Sequence, residues 1–133
     1  MKTVLITGAS QGIGEATAHY FSNNGYKVLL LARNEEKLKK VKAALTGPSE
    51  YYVCDISNQE EVTKAAEAIT KEEAYLSVIV HNAGIAFFSS FEDTPMDDWT
   101  KQFNVNVLGA MMLTQSLLPV SYTHLTLPTI CSV

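Results

Sequence analysis

The fold is decided by the stretch TVLITGASQGIG at Thr3–Gly14. Its first five residues are apolar or β-branched and predict a buried strand, and a helix is expected from Gly12 onward. Between them three glycines follow the spacing G-x-x-x-G-x-G. A strand that turns sharply into a helix presents free backbone N–H groups and a positive helix end, which favour a phosphate. The stretch therefore predicts a phosphate-binding loop.

Each glycine of this loop has its own predicted role. Gly8 permits the tight turn, Gly12 lets the main chain approach a pyrophosphate, and Gly14 lets the helix pack closely on the sheet. The alternative is that the three glycines serve only a tight strand–helix connection. The position of the loop in the first strand–helix unit favours the phosphate site.

Apolar segments farther along the chain predict three more strands. They lie at Tyr26–Ala32, Tyr51–Cys54 and Leu76–His81. Strands rich in Val, Leu and Ile that alternate with helical patterns indicate an α/β fold with a parallel sheet covered on both faces. We expect a doubly wound sheet in the order 3-2-1-4 with right-handed crossovers, truncated after the fourth strand and its following helix. The fourth strand would then be an unpaired edge.

Capping residues predict where the helices begin. The first helix is expected at Gly12–Asn24, and Asn34 is expected to cap the second. Ser57-x-x-Glu60 has the form of a capping box for the third helix. A long last helix is expected to run to about Leu118, with Thr94 as its cap and Pro95 at its first position.

Composition and charge limit the classes of function. Ten Lys and Arg against fourteen Asp and Glu give the 133-residue chain a formal net charge of −4. This weak acidity argues against a nucleic-acid partner, whose phosphates need a basic surface. Two cysteines far apart in sequence do not make a disulfide framework, so a cytoplasmic location is the default expectation. No metal ligands are assigned.

A long uncharged segment follows Lys101, the last charged residue of the chain. Within it, Gln102–Pro119 approaches the roughly 20 residues of a membrane span. The segment carries six Gln, Asn, Thr and Ser side chains: Gln102, Asn104, Asn106, Thr114, Gln115 and Ser116. These are too many polar groups for lipid, so no membrane partner is expected, and a helix buried between protein surfaces is the better interpretation.

The end of the second predicted strand bears on the choice of cofactor. A dinucleotide with a free 2′-hydroxyl usually meets an acidic residue there. The segment Leu31–Asn34 offers no carboxylate and one guanidinium, that of Arg33. Arg33 suits a 2′-phosphate through bidentate, charge-assisted hydrogen bonds. The alternative is a solvated arginine at a strand end. NADP is therefore favoured over NAD.

Four motifs in order resemble those of the short-chain dehydrogenase/reductase family. They are Thr7-Gly8-x-x-x-Gly12-x-Gly14, Asp55 after the third strand, His81-Asn82-Ala83-Gly84 after the fourth, and Asn106 within Asn104-Val105-Asn106. The resemblance covers Met1 to about Pro119. The four motifs are specific for the family in combination, although each alone is not. It implies a Rossmann-like fold and an NAD(P)-dependent oxidoreductase that transfers a hydride to or from a small carbonyl or alcohol substrate.

The resemblance also implies roles for individual residues. The cofactor-binding set comprises Gly8, Ser10, Gln11, Gly12, Ile13, Gly14, Arg33, Asp55, Ile56, Asn82, Ala83 and Gly84. Asp55 would accept a hydrogen bond from the adenine amino group, with capping of the next helix as the alternative. Asn106 would kink the long helix and hold a water in the catalytic proton relay, with a buried polar helix contact as the alternative. His81 is expected to be a satisfied strand-end histidine.

The same resemblance implies partners for the long helix. In family members this helix, here about residues 97–118, often meets a second subunit. A homo-oligomer is therefore expected, and in this chain the helix would expose Leu108, Met111, Met112 and Leu118.

The catalytic half of the family pattern is missing from this chain. Family chemistry uses a Ser, a Tyr and a Lys four residues beyond that Tyr, which lowers the pKa of the tyrosine. No Lys follows Lys101, and no Tyr is followed four positions later by Lys. Tyr122 is followed at that spacing by Thr126, so Ser121 and Tyr122 are not the catalytic pair. We expect an inactive nucleotide-binding fragment of an enzyme, with a natural NADP-binding regulator as the other alternative.

The C-terminal segment resembles a translated sequencing adapter of the transposase-fragmentation type. In one reading frame such an adapter encodes Val120–Thr129 residue by residue. The alternative is a divergent natural tail. We therefore expect residues 1–119 to be part of an NAD(P)-binding domain and residues 120–133 to be a non-native extension.

Overall fold

The computed structural model describes residues 1–121 and 129–132. The strands are β1 (Thr3–Thr7), β2 (Lys27–Ala32), β3 (Ser49–Val53), β4 (Val78–His81) and β5 (Thr129–Ser132). The helices are α1 (Gly12–Asn23), α2 (Glu35–Ala44), α3 (Gln59–Glu72), α4 (Met96–Phe103) and α5 (Gly109–Ser121), and a π-helical turn at Asn104–Leu108 joins the last two.

All strands run parallel in one sheet with the order β3-β2-β1-β4-β5. The predicted order 3-2-1-4 is confirmed. β1 lies between β2 and β4, with Thr7 opposite Leu31 and Ile6 opposite Val80. The carboxyl ends of the three strands therefore meet at one edge, where the order of strand connection reverses. That is where open α/β sheets bind ligands.

Two apolar cores cover the two faces of the sheet. Leu5, Leu29 and Ile79 are at most 1% exposed and pack with side chains of α3 and α5. Val4 and Leu30, both 0% exposed, pack on the other face with side chains of α1 and α2. Because both faces are buried, the strands are continuously apolar rather than alternating.

The cap of α2 is the predicted residue, whereas the caps of α3 and α4 each lie one residue after the predicted one. Asn34 caps α2 as expected, since its Oδ1 accepts a hydrogen bond from the Lys37 amide at 3.1 Å. The predicted capping box at Ser57 is wrong. Asn58 is the cap of α3, with its Oδ1 accepting from the Glu61 amide at 3.1 Å. The Ser57 hydroxyl instead lies against the preceding Asp55, to which it donates at 2.7 Å.

The predicted cap of the last helix is also wrong. α4 begins at Met96, and Pro95 occupies the cap position without a side-chain hydrogen bond. The Thr94 hydroxyl instead donates to the carbonyl of Ser90 at 2.8 Å. A side chain that bonds backward to its own loop cannot cap the helix ahead of it.

The last helix is interrupted rather than continuous. The π-helical turn separates α4 from α5, which continues past the predicted end to Ser121. By length and composition alone, Met96–Val120 is one helical segment that could cross a membrane. Here it packs on the sheet, with Leu113 and Leu117 at 0% exposure. Leu108 and Met111 are exposed, as predicted. Met112 and Leu118 were also predicted to be exposed but are half-buried.

A short fifth strand adds to the predicted sheet. β5 pairs with β4, placing Thr129 opposite Val78 and Ser132 opposite His81. The expectation of an unpaired β4 edge is therefore wrong. An open edge offers a row of backbone N–H and C=O groups, and β5 is rich in β-branched residues that fit such an edge. Much of the predicted extension, residues 122–128 and 133, lies outside the described residues.

Candidate functional site

A cleft of about 820 Å³ lies at the carboxyl edge of the strands. Apart from Gly14, it is lined by every residue predicted to bind the cofactor: Gly8, Ser10, Gln11, Gly12, Ile13, Arg33, Asp55, Ile56, Asn82, Ala83 and Gly84. These residues come from the loops that follow β1, β2, β3 and β4 and from the first turn of α1. The sheet thus brings together residues that are far apart in sequence.

The glycine loop is tightly packed at its two ends. Gly8 has φ +62°, and a Cβ there would lie 2.9 Å from Nδ2 of Asn82 and 3.0 Å from the backbone of Ala83. A Cβ on Gly14 would collide with the carbonyl oxygen of Gly8 and lie 2.5 Å from Nδ2 of Asn82. Gly14 therefore allows α1 to pack against the loop after β1.

The middle of the loop is open towards the cleft. Gly12 has φ +58°, and no atom lies within 4 Å of the place a Cβ would take. Gln11 occupies the cap position of α1 with extended backbone, and its side chain makes no capping hydrogen bond. The first turn of α1 therefore keeps backbone N–H donors free of a side-chain cap, at the positive end of the helix dipole.

The loops after β1 and β4 are tied together by Thr7. Its hydroxyl oxygen accepts hydrogen bonds from the backbone amides of Asn82 and Ala83, each at 3.0 Å. The Asn82 side chain donates in turn to the carbonyl of Gly8 at 3.0 Å. Asn82 thus braces the glycine loop through its side chain. Sequence reasoning missed the role of Thr7, although the residue opens the first motif.

Asp55 lies at one end of the cleft and remains ionised. Its Oδ1 accepts hydrogen bonds from the amide (3.0 Å) and hydroxyl (2.7 Å) of Ser57. Burial alone would raise the pKa of Asp55, but these hydrogen bonds and the charges of Arg33 and Lys101 outweigh it and lower that pKa. The alternative of Asp55 as a helix cap is wrong, because Asn58 caps α3. A carboxylate acceptor therefore faces the cleft.

The thiol of Cys54 forms part of the same wall. Burial, with a smaller contribution from the charges of Glu61 and Asp55, raises the pKa of Cys54 to about 12. The side chain is 1% exposed. Cys54 is therefore a neutral, apolar wall residue at physiological pH.

A second cavity of about 460 Å³ adjoins the cleft, and five residues line both: Ile56, Ala83, Gly84, Ile85 and Val105. Asn106 lines this cavity from the π-helical turn. Its Oδ1 accepts a hydrogen bond from the Ile85 amide and its Nδ2 donates to the Ile85 carbonyl, both at 2.8 Å. Asn106 is exposed, which contradicts the alternative of a buried contact. It clamps the loop after β4 to the turn, and the relay role stays a prediction.

His81 also lines the second cavity. Its Nε2 lies 2.8 Å from the hydroxyl of Thr114 on α5. Its Nδ1 is buried and has no hydrogen-bond partner among the described residues, so the expectation of a satisfied histidine holds for one ring nitrogen only. Burial lowers the pKa of His81, so the imidazole is neutral.

Sequence reasoning missed one charged residue of the cleft, Lys37. Its Nζ donates a hydrogen bond to Oε1 of Gln11 at 2.7 Å. Lys37 lies in the first turn of α2, three residues after the cap Asn34. Side chains in a helix point back towards its N-terminus, so that position is the signal that could have identified it. In the described part of the chain, no cluster of three or more His, Cys, Asp or Glu side chains could hold a metal ion.

Comparison with known proteins gives a consistent match. The family model described as short chain dehydrogenase matches residues 2–124. An uncharacterized oxidoreductase of Staphylococcus aureus strain USA300 is 34% identical over 119 residues, which cover 89% of this chain and 52% of that protein. The chain spans about half the length of the curated relatives it matches.

Two solved structures are similar over most of this chain. The alcohol dehydrogenase of the archaeon Thermococcus sibiricus, complexed with 5-hydroxy-NADP, matches with a TM-score of 0.85 and 30% identity over 90% of this chain and 53% of its own. An NAD⁺-bound xylitol dehydrogenase matches with a TM-score of 0.91 and 28% identity over 98% of this chain and 52% of its own. Both cofactor types therefore occur among the similar structures.

Proposed function

The chain belongs to the short-chain dehydrogenase/reductase family of oxidoreductases, and on that premise we propose that it supplies the cofactor-binding half of an NADP-dependent enzyme. The whole enzyme would interconvert a carbonyl and an alcohol on a small molecule. NADPH supplies the hydride when it is bound. The residues of this chain hold and orient it.

The observation that carries this proposal is the cleft between the glycine loop and the end of β2. The uncapped first turn of α1 offers N–H donors for a pyrophosphate. Arg33 lines the same cleft at the end of β2, where a ribose 2′-substituent is expected. Asp55 offers an ionised acceptor for an adenine amino group. The donor, cation and acceptor types thus fit the three parts of NADP.

The second cavity supports the proposal that this chain binds the cofactor without catalysing a reaction. Its polar side chains are those of Thr7, His81 and Asn106. The Thr7 hydroxyl and the Asn106 amide are engaged by backbone groups. No Tyr-x-x-x-Lys is present in the sequence to move a proton. Steady-state reduction of any carbonyl by the 133-residue chain would contradict this part of the proposal.

Binding of NADPH and NADH to the chain tests the proposed function. We expect NADPH to bind more tightly, measured by calorimetric titration. Arg33→Asp should weaken NADPH binding by about tenfold or more, since it removes a charge-assisted bond and adds repulsion. NADH should be affected far less. Binding of neither cofactor would refute the proposal, and an unchanged NADPH preference in the variant would remove Arg33 from it.

The exposed face of α4 and α5 supports the proposal of a homo-oligomer. Phe103 and Met111 are 54% and 63% exposed, and Val107 and Leu108 are each 39% exposed. An apolar face of this kind marks an association surface. Light scattering of the whole enzyme should give at least a dimer, and Met111→Glu should lower that mass. An unchanged monomeric mass for the wild type would contradict the proposal.

The boundary near Pro119 is likewise a proposal. It is supported by the agreement between Val120–Thr129 and translated adapter sequence. An independent genomic read across the codon of Leu118 tests it. The expected read continues to a Ser and a later Tyr-x-x-x-Lys, whereas a read encoding residues 120–133 would contradict it.

A further inference from the structure

We propose that Glu61, which lies outside the cleft, is a positioning residue that gives the cleft a preference for a 6-aminopurine base. It acts by holding Asp55, whose carboxylate is the acceptor proposed for the adenine amino group. The inference rests on the proposed function, because it concerns the base end of the same cleft. Glu61 lies in the first turn of α3 and is not one of the residues that line the cleft.

One oxygen of the Asp55 carboxylate is available to a ligand. Its Oδ1 accepts hydrogen bonds from both the amide and the hydroxyl of Ser57, at 3.0 and 2.7 Å. Within the described part of the chain, Oδ2 accepts no hydrogen bond, and Asp55 is half-buried in the cleft wall. The direction in which Oδ2 points therefore depends on how the backbone of Asp55 is held.

The backbone of Asp55 is held at its amide and at its carbonyl. The amide donates to Oε1 of Glu61 at 3.1 Å, and the carbonyl accepts from the amide of Asn58 at 3.0 Å. The amide of Cys54 donates to the carbonyl of Ala32 at 2.9 Å, which joins this end of β3 to β2. Of these three contacts, the one to Glu61 alone uses a side chain. A substitution at Glu61 can therefore release the Asp55 amide without changing the pairing of β3 with β2.

The contact made by Glu61 differs from an ordinary helix cap. In a capping box, the acidic side chain returns to the amide of the cap residue itself. Here the cap is Asn58, and its amide is already bonded to the carbonyl of Asp55. The Glu61 carboxylate passes the cap and reaches Asp55 in the loop before it. None of the ion pairs among the described residues includes Glu61, so a cation does not explain its position.

A carboxylate oxygen held in this way distinguishes two purine bases. Adenine presents an amino donor at position 6, whereas hypoxanthine presents a carbonyl acceptor there, as guanine does. The ionised Asp55 carboxylate can only accept hydrogen bonds. Oδ2 would therefore bond to the amino group of adenine and repel the carbonyl of hypoxanthine. Releasing the Asp55 backbone would weaken the bond and the repulsion together, which lowers the preference between the bases.

The test compares binding of adenosine 5′-monophosphate and inosine 5′-monophosphate to the 133-residue chain by calorimetric titration. We expect the wild type to prefer the adenosine nucleotide by about tenfold, and Glu61→Met to lower this ratio below about threefold. Glu61→Gln keeps an acceptor oxygen and should retain the ratio within about twofold. Glu60→Met is the matched control, since Glu60 is an exposed glutamate of the same helical turn and takes part in none of the ion pairs among the described residues.

Two further variants show whether Glu61 acts through Asp55. Asp55→Ala should itself abolish the preference, and adding Glu61→Met to it should change the ratio no further. Glu61→Asp keeps the negative charge at the start of α3 but shortens the side chain by one methylene. It should lower the ratio as Glu61→Met does, and it decides the question if Glu61→Met does not fold. A purely structural cap would change stability and leave the ratio unaltered.

The outcomes separate this inference from the function beneath it. If the wild type binds neither nucleotide, the cofactor-binding proposal fails and the role of Glu61 fails with it. If the wild type binds both nucleotides equally, or if Glu61→Met and Glu61→Asp retain the ratio or lower it no more than Glu60→Met does, the cleft stands and the inference about Glu61 is wrong. A lower ratio in those two variants, with the ratio retained in Glu61→Gln, supports it.

Discussion

The cleft and the second cavity share a wall but differ in charge. The cleft carries two cations and an ionised carboxylate, from Arg33, Lys37 and Asp55. The cavity is lined by neutral groups, and its polar atoms at Thr7 and Asn106 hold the backbone together. The cleft therefore carries the charges that the proposed nucleotide site needs. The cavity contributes shape and anchoring, and its described lining residues include no acid–base pair.

The largest expected effect comes from removing the close approach within the glycine loop. Gly14→Ala places a Cβ against the Gly8 carbonyl, a rigid backbone group. We expect the free energy of unfolding to fall by about 3 kcal/mol and nucleotide binding to be lost. Chemical denaturation measures the first effect. Gly25→Ala is the control, because Gly25 has φ +84° but no neighbouring atom within 4 Å. It should cost only about 1 kcal/mol of left-handed strain; equal losses would show that steric contact is not the cause.

The second prediction concerns the anchor between cleft and cavity. Thr7→Val keeps the shape of a side chain that is 1% exposed but leaves the amides of Asn82 and Ala83 without their acceptor. We expect a loss of about 2 kcal/mol in the free energy of unfolding. Thr7→Ser keeps the hydroxyl oxygen, so its free energy of unfolding should fall clearly less. A valine variant as stable as the serine variant would contradict the role of this hydroxyl.

A smaller effect is expected on the cavity side. Asn106→Ala removes both hydrogen bonds to the Ile85 backbone. Because Asn106 is exposed and Ile85 is half-buried, water replaces part of the lost hydrogen bonding, and we expect the free energy of unfolding to fall by about 1 kcal/mol. Hydrogen exchange at the Ile85 amide should become faster while amides of β1 stay protected. An unchanged exchange rate at Ile85 would contradict the clamp.

The smallest expected effect is the pH dependence of stability that comes from His81, which lines the second cavity. Burial lowers the pKa of His81, so the unfolded chain binds a proton more readily than the folded one. Stability from the neutral ring is present above the ordinary histidine pKa of about 6.5 and is lost as pH falls through it. Thermal melting between pH 7.5 and 5.5 measures this. His81→Asn should have a shallower pH dependence; an equal slope would assign the effect to other groups.

The glycine loop and strands β1–β4 were predictable because they depend on local patterns, and the strand order followed from the usual order of doubly wound sheets and the right-handed crossover rule. Residues at strand ends, such as Arg33 and Asp55, follow from the same periodicity. Lys37 and Thr7 were not recognised because their partners lie 26 residues or more away. The error at Ser57 has a local cause: its hydroxyl donates to the neighbouring Asp55, and the next residue, Asn58, supplies the oxygen that accepts from the helix amide. β5 could not be predicted because pairing with the open β4 edge requires only an extended backbone and no particular sequence motif.

The central claim is that a nucleotide binds in the charged cleft and is oriented there by the glycine loop. Titration of the chain with NADPH, followed through backbone amide NMR shifts, tests it most directly. We expect the largest shifts at Gly12 and Ile13, with accompanying shifts at Arg33, Lys37 and Asp55. Shifts concentrated on the exposed face of α4 and α5, or no saturable shifts at the glycine loop, would contradict it.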